Sequence, residues 1–330
     1  MREFGYQRAQ DVSDAVALLD ADTDARFLAG GTNLVDLMKT GVERPGRLVD
    51  IRSLPLDRVE STPDGGLRVG ATVTNGDLAA HPEVRRRYPV LAQAVLAGAS
   101  GQLRTMATLG GNLLQRTRCA YFTDTTLPCN KRRPGSGCPA VRGEHHNHAV
   151  LGASDHCVAV HPSDLAVALA ALDAVVHYET ADGPGDLPLG RFYLPVDDTP
   201  HRETALPAGA LVTGVTLPPA PVAARSRYRK VRERASYAFA IGSVAAALDV
   251  RDGVVRDVRL AYGAVASRPW RARAAERALT GAPADAASFA AAADVELAAA
   301  RPLPHNGYKV TLMRNLTVAV LTELAEEAAR

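Results

Sequence analysis

Between Cys119 and Cys157 the chain loses its hydrophobic periodicity while collecting every cysteine it has. Any fold must therefore carry an irregular insertion held by something other than a regular core. The spacing is C-x9-C-x8-C-x18-C, with glycine, proline and histidine crowding the intervals. Chance clustering of four buried thiols is a poor account of this pattern. Disulfides belong to oxidising compartments, and a 330-residue chain without a secretion signal does not need such staples. Zinc draws support from His145, His146, His148, His156 and His161, which lie in or beside the segment. Zinc ligands, however, usually pair two to four residues apart, and no cysteine pair here does. An iron–sulfur cluster needs four thiolates converging from loops. Glycines and prolines suit a chain wrapped around an inorganic core, and Lys131, Arg132 and Arg133 would offset its negative charge. On residue chemistry alone, cluster and zinc stand level.

The flanking sequence is periodic. Asp11 or Ser13 caps a helix with Val16, Leu18 and Leu19 on its apolar face, and "ARFLAGG" reads as a strand ending at two glycines. Residues 33–39 read as a short helix closed by Gly41. Strands are expected at 47–51, 66–74, 175–180 and 210–218, and helices at 82–99, interrupted near Pro89, and 161–174. Residues 181–210, rich in Pro, Gly and Asp, read as loop. After a linker candidate at 218–224, two long apolar runs joined by Arg251-Asp252-Gly253 form a hairpin. Helical segments at 269–280, 284–300 and 307–329 complete the chain. The length fits two domains, 1–222 with an insertion at 117–160, and 223–330.

A net charge of +2 gives no long-range argument for nucleic acid or membrane, and Arg85-Arg86-Arg87 reads as a solvated helix face. The first twenty residues lack a signal peptide's apolar core, and no apolar run is long enough to span a bilayer. The expected location is cytoplasmic by the chain's own signals, and periplasmic if a signal-bearing partner exports it.

Two glycine pairs remain, in "LAGGTNL" (28–34) and "ATLGGN" (107–112). Such pairs let backbone amides approach an anion, with Thr32, Asn33, Thr108 and Asn112 as further polar contacts. Neither has a P-loop lysine nor GxGxxG spacing. Asn112 lies seven residues before Cys119, at most roughly 25 Å of extended chain. Whatever the second pair holds can therefore neighbour whatever the cysteines hold.

"FLAGGTNLVDLMK", "LVDIRSLP", "VGATVTNGDLAAHP", "ATLGGNL" and "PSDLAVAL" together resemble the flavin-carrying medium subunit of the xanthine dehydrogenase and molybdenum hydroxylase family, over essentially the whole chain. The cysteine insertion is similar to that of the [4Fe–4S]-containing flavin subunit of bacterial periplasmic-type aldehyde oxidoreductases. The flavin subunit of 4-hydroxybenzoyl-CoA reductase is the nearest rival. The resemblance implies an α+β fold: a two-subdomain FAD-binding domain of the vanillyl-alcohol-oxidase type, then a C-terminal α+β domain of the CO dehydrogenase flavoprotein type. It implies FAD contacts from Leu28, Ala29, Gly30, Gly31, Thr32, Asn33 and Leu34, and from Ala107, Thr108, Gly110, Gly111 and Asn112. Asp164, whose bland role is a helix cap, would hold the adenosine ribose. Leu211 (or Val212) and Lys230 align more loosely. Cys119, Cys129, Cys138 and Cys157 would ligate a [4Fe–4S] cluster. The run 97–100, "AGAS", is small where larger members place an aromatic against the flavin, leaving Tyr121, Phe122 or Tyr237 as substitutes.

The implied function is electron transfer within a molybdenum-dependent aldehyde oxidoreductase. A molybdenum large subunit, a [2Fe–2S] small subunit and this chain would form a heterotrimer serving an external acceptor. No residue is nominated as a catalytic base, and the chain is not expected to oxidise substrate alone. Xanthine dehydrogenase-like and 4-hydroxybenzoyl-CoA reductase-like complexes are the alternatives. A zinc-stabilised interaction subunit without redox activity is the alternative of another class.

Overall fold

The computed structural model describes residues 1–328, which build three sheets. The first is a small parallel sheet of Gly5–Arg8, Arg47–Asp50 and Ala25–Leu28, with Arg47–Asp50 in the middle. Helix Val12–Asp20, capped by Asp11, buries Ala15 and Val16 in a core with Val49, Ile51 and Leu54. The second sheet is antiparallel, in the order Val59–Ser61, Leu67–Gly70, Leu211–Leu217, Val175–Thr180, Gly183–Pro188. Helices Pro89–Ala97 and Asp164–Ala171, almost wholly apolar, fill the core beside it.

The third sheet explains the two long apolar runs of the C-terminal hairpin. Gly242–Arg251 and Val254–Gly263 pair antiparallel across a turn in which Asp252 and Gly253 both have positive φ, the conformation a two-residue hairpin turn requires. Strand side chains alternate between faces. Val244, Ala246, Leu248, Val258, Leu260 and Tyr262 enter the core under Arg273–Leu279, Ala286–Leu297 and Tyr308–Ala328. Ala245 and Ala261 point the other way, into the core of Pro89–Ala97 and Asp164–Ala171. The sheet is thus buried on both faces, which removes the polar alternation from its sequence. It also joins the C-terminal unit to the preceding one through a shared core. The expected linker is correspondingly packed: Pro221–Ala224 is a short 3-10 turn in which Ala223 is fully buried.

The loop expected at 181–210 contains a strand, Gly183–Pro188, and a helical turn, Leu189–Phe192. Pro184 and Pro188 are tolerated because this strand lies at the sheet's edge. Conversely, 71–74 leaves its strand early, and Thr74 caps the next helix, Asn75–Ala80. Among the described residues no helix is long and apolar enough to cross a membrane.

Candidate functional site

The two glycine pairs meet. A Cβ built on Gly30 would lie 1.7 Å from the carbonyl oxygen of Met106 and 3.2 Å from the amide nitrogen of Ala107. Gly30 is therefore glycine because the second loop passes directly over it. Gly31 has φ +71°, a left-handed conformation that carries the chain out of strand Ala25–Leu28 towards helix Leu34–Thr40. Asn33 does not cap that helix with its side chain. Its Oδ1 instead accepts from the Arg116 amide at 2.9 Å, tying the first loop to the chain just after the second. Thr108 caps the short helix Leu109–Leu113 through the Gly111 amide, and Asn112 Oδ1 accepts from Ser163 Oγ at 2.7 Å.

Beside these loops lies a cavity of about 720 Å³, within the range of pockets that take drug-sized and cofactor-sized ligands. Thr32, Asn33, Ala107, Gly111, Asn112, Asp164 and Lys230 of the expected set line it. Leu28, Ala29, Gly30, Gly31, Leu34, Thr108 and Gly110 are not among the lining residues. Leu211 is also off the lining: its side chain is buried in the core of the first sheet, with Val49 and Leu54, at the start of a central strand.

Asp164 and Lys230 come together. Lys230 Nζ lies 2.8 Å from Asp164 Oδ2, the Tyr228 hydroxyl donates to Asp164 Oδ1 at 2.5 Å, and both charged side chains are almost fully buried. Helix Asp164–Ala171 is capped by Ser163, not Asp164, so the carboxylate is free for this pair. Burial raises the Tyr228 phenol well above its ordinary pKa, and the neighbouring carboxylate adds to the effect.

Four buried polar atoms in the cavity wall have no protein partner: Asn75 Oδ1, His148 Nδ1, His161 Nε2 and Ser243 Oγ. Burial brings both histidines down to a pKa of about 4, so they are neutral at pH 7. Arg118 also faces the cavity, its guanidinium over the Phe239 ring, and burial lowers its pKa. An extended ligand carrying polar groups fits this wall. The segment before the hairpin, expected to begin a strand, is a loop that brings Tyr237 and Phe239 to the cavity. Tyr237 is thus the aromatic substitute placed at this site. Tyr121 and Phe122 instead line a second space, with Phe122 fully buried under the Arg116 guanidinium.

All four cysteines line that second, small and largely apolar space, and all are free thiols. Interaction between the neighbouring Cys138 and Cys157 thiols lowers the pKa of Cys138 and raises that of Cys157. Burial pushes Cys119 up to about 11. Lys131 also lines the space and is buried, paired with Glu203 at 2.6 Å. Burial alone would raise Glu203, but Lys131 and Arg116 overcome it and keep the carboxylate low. Arg132 does not face the cysteines: its guanidinium staples the loop by donating to the carbonyls of Tyr121 and Asp124. Among the described residues no three His, Cys, Asp or Glu side chains converge as a single metal ion requires. The thiols surround a common space without meeting at a common point.

His145 stacks on His305, and His146 on Tyr308. Lys309, wholly buried, donates to the carbonyls of Asn147, His148 and Ala264 at 3.1, 3.0 and 2.6 Å. These contacts fasten the histidine-rich loop to the C-terminal helix. They were not foreseen from sequence, since a lysine at a helix start reads as solvated.

Residues 2–220 match the FAD binding domain in molybdopterin dehydrogenase, and residues 226–324 match the CO dehydrogenase flavoprotein C-terminal domain. The chain is 50% identical over 329 residues to the aldehyde oxidoreductase FAD-binding subunit PaoB of Escherichia coli (strain K12), covering 99% of this chain and 100% of that one. In fold it is similar to a chain of quinoline 2-oxidoreductase from Pseudomonas putida 86, with a TM-score of 0.78, 23% identity, and 100% and 99% of the two chains covered. A chain of carbon monoxide dehydrogenase from Hydrogenophaga pseudoflava gives a TM-score of 0.77 at 25% identity, with 99% and 98% covered.

Proposed function

The chain belongs to the family of FAD-binding subunits of molybdopterin dehydrogenases, and from that premise we propose that it is the flavin subunit of a molybdenum-dependent aldehyde oxidoreductase. The observation that carries the reading is the 720 Å³ cavity, walled by both glycine-pair loops and bearing four partnerless polar atoms. FAD, when bound, supplies exchange between one-electron carriers and a two-electron acceptor. The chain's own residues bind and orient it. Gly30 brings the two loops into contact, Thr32, Asn33 and Asn112 offer polar groups, and Arg118 offers positive charge. Asp164 is engaged by Lys230 and Tyr228, so it positions one wall and is not poised as a general base. Aldehyde oxidation and the relay to the flavin belong to molybdenum and [2Fe–2S] subunits in the same complex. Identity to an aldehyde oxidoreductase subunit favours aldehydes over xanthine or an aryl-CoA thioester.

Cys119, Cys129, Cys138 and Cys157 hold a [4Fe–4S] cluster in this reading. What supports it is their placement around one apolar space, beside the buried Lys131. A zinc ion draws its sulfurs to within about 4 Å of one another, whereas a cluster takes each thiolate on a separate iron. When bound, the cluster supplies a one-electron store.

The test is anaerobic addition of aldehyde to the purified complex and, separately, to this chain alone. Bleaching of the flavin absorption in the complex and not in the isolated chain is expected. Bleaching of the isolated chain would refute the division of labour.

A further inference from the structure

Cys119 and His148 form the partition between the two spaces. Cys119 lines both, and His148 lines the large cavity. His148 Nε2 lies 3.2 Å from Cys119 Sγ, while its Nδ1 is buried without a partner. A buried acceptor is easier to leave unpaired than a buried N–H, so the proton belongs on Nε2, donated to sulfur. The backbone that carries the ring is also held in place. The His148 carbonyl accepts from Lys309 Nζ at 3.0 Å and from Asn306 Nδ2 at 3.3 Å, and its amide donates to the His145 carbonyl at 3.0 Å. Lys309 and Asn306 are themselves fully buried.

We infer that His148 is a positioning residue for the cluster, donating a hydrogen bond to the Cys119 thiolate from the wall it shares with the flavin cavity. The inference rests on the cluster reading above. A hydrogen bond to a ligating sulfur withdraws charge from it and favours the reduced cluster. The other three cysteines have no histidine in this relation among the described residues, so the effect is confined to the ligand nearest the flavin cavity.

The experiment uses the whole complex with His148→Leu and His148→Gln, measuring iron content and the cluster's midpoint potential by spectroscopically monitored titration. A Cys129→Ser complex identifies which signal belongs to this cluster. Leucine is expected to retain the iron and move the potential to more negative values, and glutamine, whose amide can donate to sulfur, to move it back. Loss of iron in the leucine variant with recovery in the glutamine variant also supports the role. An unchanged potential with iron retained overturns the inference alone. Loss of iron in both variants overturns it too, because the ring would then act only by filling space. Unchanged iron in Cys129→Ser defeats the cluster reading itself, and the inference with it.

Discussion

Replacing Gly30 with alanine tests whether the two glycine loops act as one binding device. The new methyl carbon would sit 1.7 Å from the Met106 carbonyl oxygen, where close carbon–oxygen contacts settle at about 3.3 Å. The loops must therefore part by roughly 1.6 Å, and the obstacle is backbone, which cannot rotate aside. Gly30 does not have a positive φ, so steric overlap is the only penalty. Overpacking of this kind costs about 1–3 kcal/mol. Reduced freedom in the unfolded chain returns only about 0.4–1 kcal/mol, so the overlap wins. Expressed on ligand binding, that range of about 1–3 kcal/mol is about 5–150-fold in affinity. The assay is FAD titration of the deflavo protein by fluorescence quenching, with FAD per chain in the purified complex as a second measure. Gly101→Ala is the control, because its Cβ would meet nothing within 4 Å. Wild-type FAD affinity in Gly30→Ala, with the control also unchanged, would refute the argument that contact between the loops shapes the site.

Lys230→Met leaves Asp164 buried and uncompensated, and is expected to destabilise the fold by about 3–5 kcal/mol in denaturant titration, with the Asp164→Asn double variant recovering much of the loss. Hydrogen bonds from Arg52 and Tyr6 hold Asp50 well below the usual carboxylate range. A depressed carboxylate contributes its stability above its unfolded pKa of about 4 and loses it as pH falls through the lower folded value. Asp50→Asn should therefore be less stable than wild type at pH 7 and show a shallower loss below about pH 4, measured by denaturant midpoints across pH. Cys129→Ser is expected to remove the broad iron–sulfur absorbance of this subunit while FAD remains, checked by iron and flavin analysis of one preparation.

Local signals carried most of the fold. Asp11, Ser163 and Gly41 mark helix ends through short-range hydrogen bonds or backbone conformation, and each stands where its chemistry predicts. The hairpin turn at Asp252-Gly253 is equally local. Strand Gly183–Pro188 was not legible, because its pairing is made by backbone groups and its Pro and Gly content reads as loop. The glycine pairs identified the site, but their contact is between loops some seventy-five residues apart. Asp164 read as a cap because its partners Tyr228 and Lys230 arrive from a distant strand. Phe122 read as a flavin neighbour because adjacency in sequence does not reveal that it points into the cysteine space. The Cys119–His148 contact joins residues 29 apart within an aperiodic segment, where no spacing rule applies.

If this chain carries FAD within a molybdenum enzyme, the cofactors travel with it. The most direct measurement is purification from the native host followed by cofactor and metal analysis of the material containing this chain. FAD, molybdenum and iron are expected together in one complex, with one FAD per copy of this chain. Recovery of the chain alone, colourless and carrying zinc, would contradict it.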